Sequence, residues 1–232
     1  MRSMKAIFTK QAKDMIKNPA VLVMFIVFPA VALIMTVFVT IPENEYFSGN
    51  MFVTMMASIF AGMGLITSAS AVVAEDIAGK SLRFLIIAGV KPHQYLLGTG
   101  GFYLLAGAAA SVIFNLIGGF SGEEALKFLT IMATGLAASI ILGMVFGILA
   151  GNQQAAASLS MPVAVIVGFT PMIAGFNETV EKFAGVLYTQ QINIIVNDFS
   201  AGLLKPLLVI AANIAVFTVL FVIAYRKKGL KG

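Results

Sequence analysis

Residues 19–41 read PAVLVMFIVFPAVALIMTVFVTI, a run of 23 residues without one charged side chain. A bilayer core about 30 Å thick is crossed by about 20 helical residues, so this stretch by itself predicts a membrane span. Working outward from it, the same signature recurs along the chain. Six spans are predicted, at about 19–41, 51–74, 95–120, 126–150, 158–175 and 203–225. The fifth is short and contains Pro162 and Pro171, which predicts a kink or a break. Composition agrees: 59% of the 232 residues are hydrophobic and 11% are charged, with a mean hydropathy of +0.98. A soluble domain keeps about a quarter of its residues charged. The expected fold class is therefore an all-α integral membrane protein, a single transmembrane domain over residues 1–232 with no large extramembrane part.

The charges fix an expected orientation. With the N-terminus inside, 12 of the 15 Lys and Arg residues fall on the cytoplasmic side, and only Lys127, Lys182 and Lys205 fall outside. Glu43, Glu45, Glu123, Glu124, Glu178, Glu181 and Asp198 lie outside, and Asp14, Glu75 and Asp76 inside. The split is +9 inside against −4 outside for a total of +5, a strong positive-inside bias that predicts both termini in the cytoplasm. Such a charge reflects membrane sidedness and does not call for nucleic acid. The first apolar run is too long for a cleavable signal, so none is expected. With no cysteine, a disulfide framework and a thiolate metal site are both excluded, and His93 alone cannot build a zinc centre.

The connections carry their own patterns. Residues 4–17 (MKAIFTKQAKDMIK) place Met4, Ile7, Phe8, Met15 and Ile16 on one helical face and Lys5, Lys10, Lys13 and Lys17 largely off it. That pattern predicts an amphipathic helix in the plane of the membrane surface. Between spans five and six, Val180, Phe183, Ala184, Leu187 and Tyr188, then Ile192, Ile195 and Phe199, recur at helical spacing. Two short amphipathic helices at the outer face are expected there. In span four, Gly135, Ser139, Gly143, Gly147 and Gly151 put a small residue at every fourth position, the pattern of a close helix–helix seam. Residues 74–81, AEDIAGKS, resemble a loosened phosphate loop, but they follow a membrane helix, and Glu75 and Asp76 would repel phosphate. The spans hold no Asp, Glu, Lys, Arg or His at mid-depth, which argues against ion-coupled transport and intramembrane catalysis. Asn115 and Asn213 are the notable buried polar residues, expected to bond between helices. No catalytic residue and no metal ligand is assigned.

The loop between spans two and three carries a family resemblance. It runs from Glu75 and Asp76 through Ser81-Leu82-Arg83-Phe84-Leu85 and Gly89-Val90-Lys91-Pro92 to Tyr95-Leu96-Leu97-Gly98. This series resembles the permease subunits of ABC-2 type exporters, and the resemblance extends over essentially the whole chain. It implies that the loop is a coupling helix docking on a separate ATPase subunit, with Glu75, Asp76, Gly79, Lys80, Ser81, Leu82, Arg83, Phe84 and Leu85 as coupling residues. It further implies that residues 4–17 form the interfacial helix, and that Phe183, Leu187, Tyr188, Ile192, Ile195 and Phe199 belong to external, re-entrant gate helices. The implied assembly is two permeases, identical or paralogous, with two ATPase copies that bind ATP and Mg, in a bacterial plasma membrane. The implied substrate is amphipathic or hydrophobic, a peptide such as a toxin or bacteriocin before a drug-like compound. An ion-coupled secondary transporter and a non-transporting membrane scaffold are the alternatives from other classes.

Overall fold

The computed structural model describes residues 2–39 and 50–230, and among these the protein is all-helical with no strand. Six helices are long and apolar enough to cross a membrane: Val21–Phe38, Met51–Ala78, Pro92–Gly118, Gly122–Leu149, Gln153–Ala174 and Leu204–Lys227. This is a multi-pass membrane protein. The expected end of span one, residues 40–41, lies outside the described residues.

Several boundaries move, each for a local reason. Span two continues past Glu75 and Asp76 to Ala78, because the Asp76 carboxylate finds donors inside the bundle. Span three starts at Pro92, whose missing N–H suits a helix's first turn, and the Gln94 side chain accepts from the Lys91 N–H at 3.0 Å. Span four begins at Gly122, where Glu123 and Lys127 pair along the helix at 2.7 Å. Span five is neither short nor broken. Its first turn is capped by Asn152, whose side chain accepts from Ala155 N–H at 2.9 Å, and it runs through both Pro162 and Pro171 to Ala174.

Spans two and four are mostly buried, and the other four turn most of their surface outward. Lipid gives helices no hydrophobic reason to associate, so close backbone packing has to do it. The small-residue ridge of span four supplies that packing within one chain. A Cβ on Gly143 would stand 2.4 Å from the Ile66 carbonyl oxygen, and one on Gly147 would stand 2.6 Å from that of Ser70. Further along the ridge the partner changes: a Cβ on Gly135 would strike Ile192 at 2.5 Å, and Ser139 Oγ donates to the Tyr188 hydroxyl at 2.8 Å. Gly151 faces open space. Spans two and five also touch backbone to backbone, with Gly62 against Gly168. Gly62 lies in a π-helical turn, Phe60–Gly64, and a second such turn, Leu96–Gly100, interrupts span three.

The segment between spans five and six departs from the surface placement that its periodicity predicts. It forms two helices, Glu178–Ala184 and Tyr188–Asn197. The second does not lie on a surface. Tyr188, Ile192 and Ile195 are buried among the spans, and Thr189 reaches the Val167 carbonyl, well inside span five. At its far end Lys127, near the start of span four, donates to the Phe199 carbonyl at 2.7 Å. The two helices are thus a hairpin that dips into the bundle and returns. Asn213 of span six holds its tip through the Val186 carbonyl at 2.9 Å, while Asn115 closes the end of span three on the Phe120 carbonyl.

Overpacking of this kind costs about 1–3 kcal/mol per added methyl when the neighbour is backbone. Gly143→Ala and Gly147→Ala should therefore lower the thermal midpoint of the purified protein, and Gly151→Ala should leave it unchanged. Equal effects at all three positions would mean that the seam lies elsewhere.

Candidate functional site

Two places combine exposure with chemistry, one at each end of the bundle. The first is the connection after span two. Gly79 ends that span, its N–H bonded to the Glu75 carbonyl, so residues 74–78 are helix and form no cradle of free N–H groups. Lys80 then adopts a left-handed backbone with φ of 60°, which turns the chain sharply into a seven-residue helix, Ser81–Ile87. Leu82 is buried and fastens this helix to the chain, and Leu85 and Ile86 pack partly against the core. Phe84 and Ile87 remain 67% and 72% exposed, on a helix with no membrane-spanning length. With Arg83 also at the surface, they form an apolar patch with a basic edge.

The carboxylates beside it are tied up rather than presented. Asp76 is 3% exposed. It accepts from Tyr95 Oη at 2.8 Å and Gln11 Nε2 at 3.2 Å, and it pairs with the Lys10 ammonium. Lys10 bridges on to Asp14 at 3.0 Å. Burial pulls the Lys10 pKa down, but the Asp76 and Asp14 carboxylates outweigh it and leave the value raised. Glu75 is exposed and accepts from Gln153 at 3.0 Å, joining span two to the start of span five. One short stretch thus binds the N-terminal helix, span three and span five.

The N-terminal helix, which spans Arg2–Lys17, turns Ile7, Phe8 and Met15 of its expected apolar face inward, together with polar side chains that the pattern placed off that face. Lys10 points into the bundle, Gln11 is fully buried, and Ile7 is buried with it, whereas Ile16 is exposed. Phe8 meets Phe102 of span three edge-on at 5.3 Å. The helix is keyed to protein through a polar core that an amphipathic pattern does not reveal. The side chains of Met4 and Lys5 lie outside the described residues.

At the opposite end, the hairpin and spans two and five line a small open cleft of about 110 Å³. Met51, Met55, Met172 and Phe176 give it an adaptable apolar lining. Thr54, Ser58, Asn193 and Asn197 add hydroxyls and amides, with Asn197 donating to Asn193 at 3.0 Å. Among the described residues, no charged side chain lines it.

The expected site residues therefore separate. Glu75, Gly79, Lys80, Arg83 and Phe84 are exposed, Ser81 and Leu85 are half-buried, and Asp76 and Leu82 are buried, so those last two cannot meet a partner. Among the hairpin residues Tyr188, Ile192 and Ile195 are buried, Leu187 is half-buried, and Phe183 is exposed. Phe199 meets Phe120 edge-on, with ring centroids 4.8 Å apart. The sequence reading missed Ile87, although its spacing of three from Phe84 put both on one helical face. It also missed the Lys10–Gln11–Tyr95 set around Asp76, which no local pattern encodes.

Asp76→Ala leaves the Gln11 and Tyr95 donors without their charged acceptor, at a cost of about 2–3 kcal/mol. It should release the N-terminal helix, seen as faster tryptic cleavage at Lys10 and Lys13. The sign with pH follows from the raised pKa of Lys10: the stabilisation is complete below the ordinary value of 10.5 and is lost as pH climbs through the raised one. Cleavage rates that match the wild type would remove Asp76 from this role. The sequence matches no protein-family model and no curated protein, so the reading of these sites rests on their own geometry.

Proposed function

We propose that this chain is the permease subunit of an ATP-driven exporter, with the helix Ser81–Ile87 docking on a separate ATPase. The observation that carries the reading is the pair Phe84 and Ile87, exposed on a helix that Leu82 pins to the end of span two. Such a helix can receive a push and pass it to a membrane span. Glu75 and Asp76 supply the transmission by joining span two to span five and to the N-terminal helix.

In this reading the termini and the docking helix face the cytoplasm, as the basic bias predicts, and the cleft opens outward. Two copies, or this chain and a paralogue, pair in a bacterial plasma membrane with two ATPase subunits. ATP and Mg belong to those subunits. The cleft's methionines and phenylalanine beside uncharged amides and hydroxyls suit an amphipathic or hydrophobic substrate, a peptide before a drug-like compound. Closure of the ATPases on ATP would move the docking helix, and spans two and five would reshape the cleft.

The double variant Phe84→Ala with Arg83→Glu removes the apolar contact and inverts the charge next to it. A buried aromatic at such an interface contributes about 2 kcal/mol or more. The variant should insert normally but lose about 30-fold in ATPase affinity in pull-down, and substrate should no longer stimulate ATP turnover. Unchanged assembly and turnover would remove this helix from the mechanism.

A further inference from the structure

The thioether of methionine is a neutral, polarisable ligand that selects soft cations such as monovalent copper, whereas Mg²⁺ and Ca²⁺ take oxygen. Three methionines line the cleft between spans two and five. Met51 and Met55 stand four residues apart at the start of span two, on one helical face. Met172 comes from the opposite wall. Spans two and five run antiparallel, with Glu75 meeting Gln153 and Gly62 lying on Gly168. Continued toward the cleft, that register sets Met172 level with Ser58. Met55 is then about one helical turn away along the bundle. Each methionine has three rotatable bonds with which to turn its sulfur inward.

The rest of the lining disfavours harder ions. Among the described residues no charged side chain lines the cleft, so nothing there offsets the lost hydration of a divalent cation. Among the same residues no three His, Asp or Glu side chains come together as a conventional metal site. The chain has no cysteine thiolate to compete for a soft ion. Ser58, 1% exposed, lines the cleft with a hydroxyl that finds no protein partner. Leaving a buried hydroxyl so costs about 1–3 kcal/mol, and an oxygen position beside a bound ion would satisfy it. At about 110 Å³ the cleft has room for one ion among the thioethers.

We propose that Met51, Met55 and Met172 form a thioether site for a soft monovalent cation, Cu(I), with the Ser58 hydroxyl beside it. The bound ion joins span two to span five across the cleft. Binding needs no ATPase partner, so the site stands or fails apart from the exporter reading.

The test uses the full chain in detergent, with its 13 methionines carrying ¹³C at the methyl group. It is titrated with Ag(I), a redox-inert probe of the same chemistry, and without oxygen with Cu(I) against a colorimetric Cu(I) chelator. One equivalent of either ion should be held, and the methyl signals of Met51, Met55 and Met172 should move first. Zn²⁺ and Na⁺ should move none of them. Leucine in place of methionine keeps the volume. Loss of a group that only supports a metal ligand costs about 10–100-fold in affinity, so Met55→Leu with Met172→Leu should weaken binding by about 100-fold. Met161→Leu, at an exposed position of span five, should leave it unchanged. Loss of the ion to the chelator, binding that survives the double variant, or first shifts at other methionines would each overturn the proposal. Should the double variant fail to fold, the methyl shifts of the parent chain decide by themselves.

Discussion

Spans two and four can lie backbone against backbone because Gly143 and Gly147 carry no side chain, and the rest of the molecule is arranged on that contact. In lipid the alternative to close packing is no packing, since a leucine gains nothing by leaving a hydrocarbon neighbour for another. The same ridge of span four seats span two at one end and the hairpin at the other, through Gly135 and Ser139. Asp76, near the end of span two, gathers the N-terminal helix and span three around itself. The helix Ser81–Ile87 and the cleft are thus joined by a continuous run of tightly packed backbone.

In the proposed mechanism this continuity matters more than any one side chain. A displacement of the helix Ser81–Ile87 enters span two through Leu82 and the left-handed turn at Lys80. Span two meets span five where Gly62 lies on Gly168, beside the π-helical turn Phe60–Gly64. Such single turns are rare inside α-helices and are frequent at functional sites. Gly168 also lines the cleft. A movement begun at the helix Ser81–Ile87 would therefore reach the cleft through two helices.

Much of the fold was legible in the sequence because the bilayer imposes a length and a polarity that each span must show. The run 19–41 and its five counterparts, and the ridge from Gly135 to Gly147, are of that kind; Gly151, expected to continue the ridge, lies past the helix end with nothing against it. The hairpin was harder. Tyr188, Ile192 and Ile195 have the spacing of a surface amphipathic helix, and only the vacancies along span four and the orphaned Val167 carbonyl explain why that helix enters the bundle. Pro171 suggested a break for the same reason: nothing local announces that Thr189, 22 residues away, will meet the freed carbonyl. The Asp76 cluster was hidden too, since Lys10 and Gln11 look like the polar side of a surface helix until their distant partners are in place. What periodicity encodes was readable, and what depends on pairing between remote segments was not.

The exporter reading is tested most directly by putting a photo-crosslinking amino acid at position 84, and separately at 87, in the native membrane and identifying what is captured. The account predicts that both positions capture a soluble, nucleotide-hydrolysing subunit, and that a reporter at the buried position 82 captures none. Capture of lipid alone at 84 and 87, with the chain folded and inserted, would contradict it and leave the helix Ser81–Ile87 as an element resting on the membrane surface.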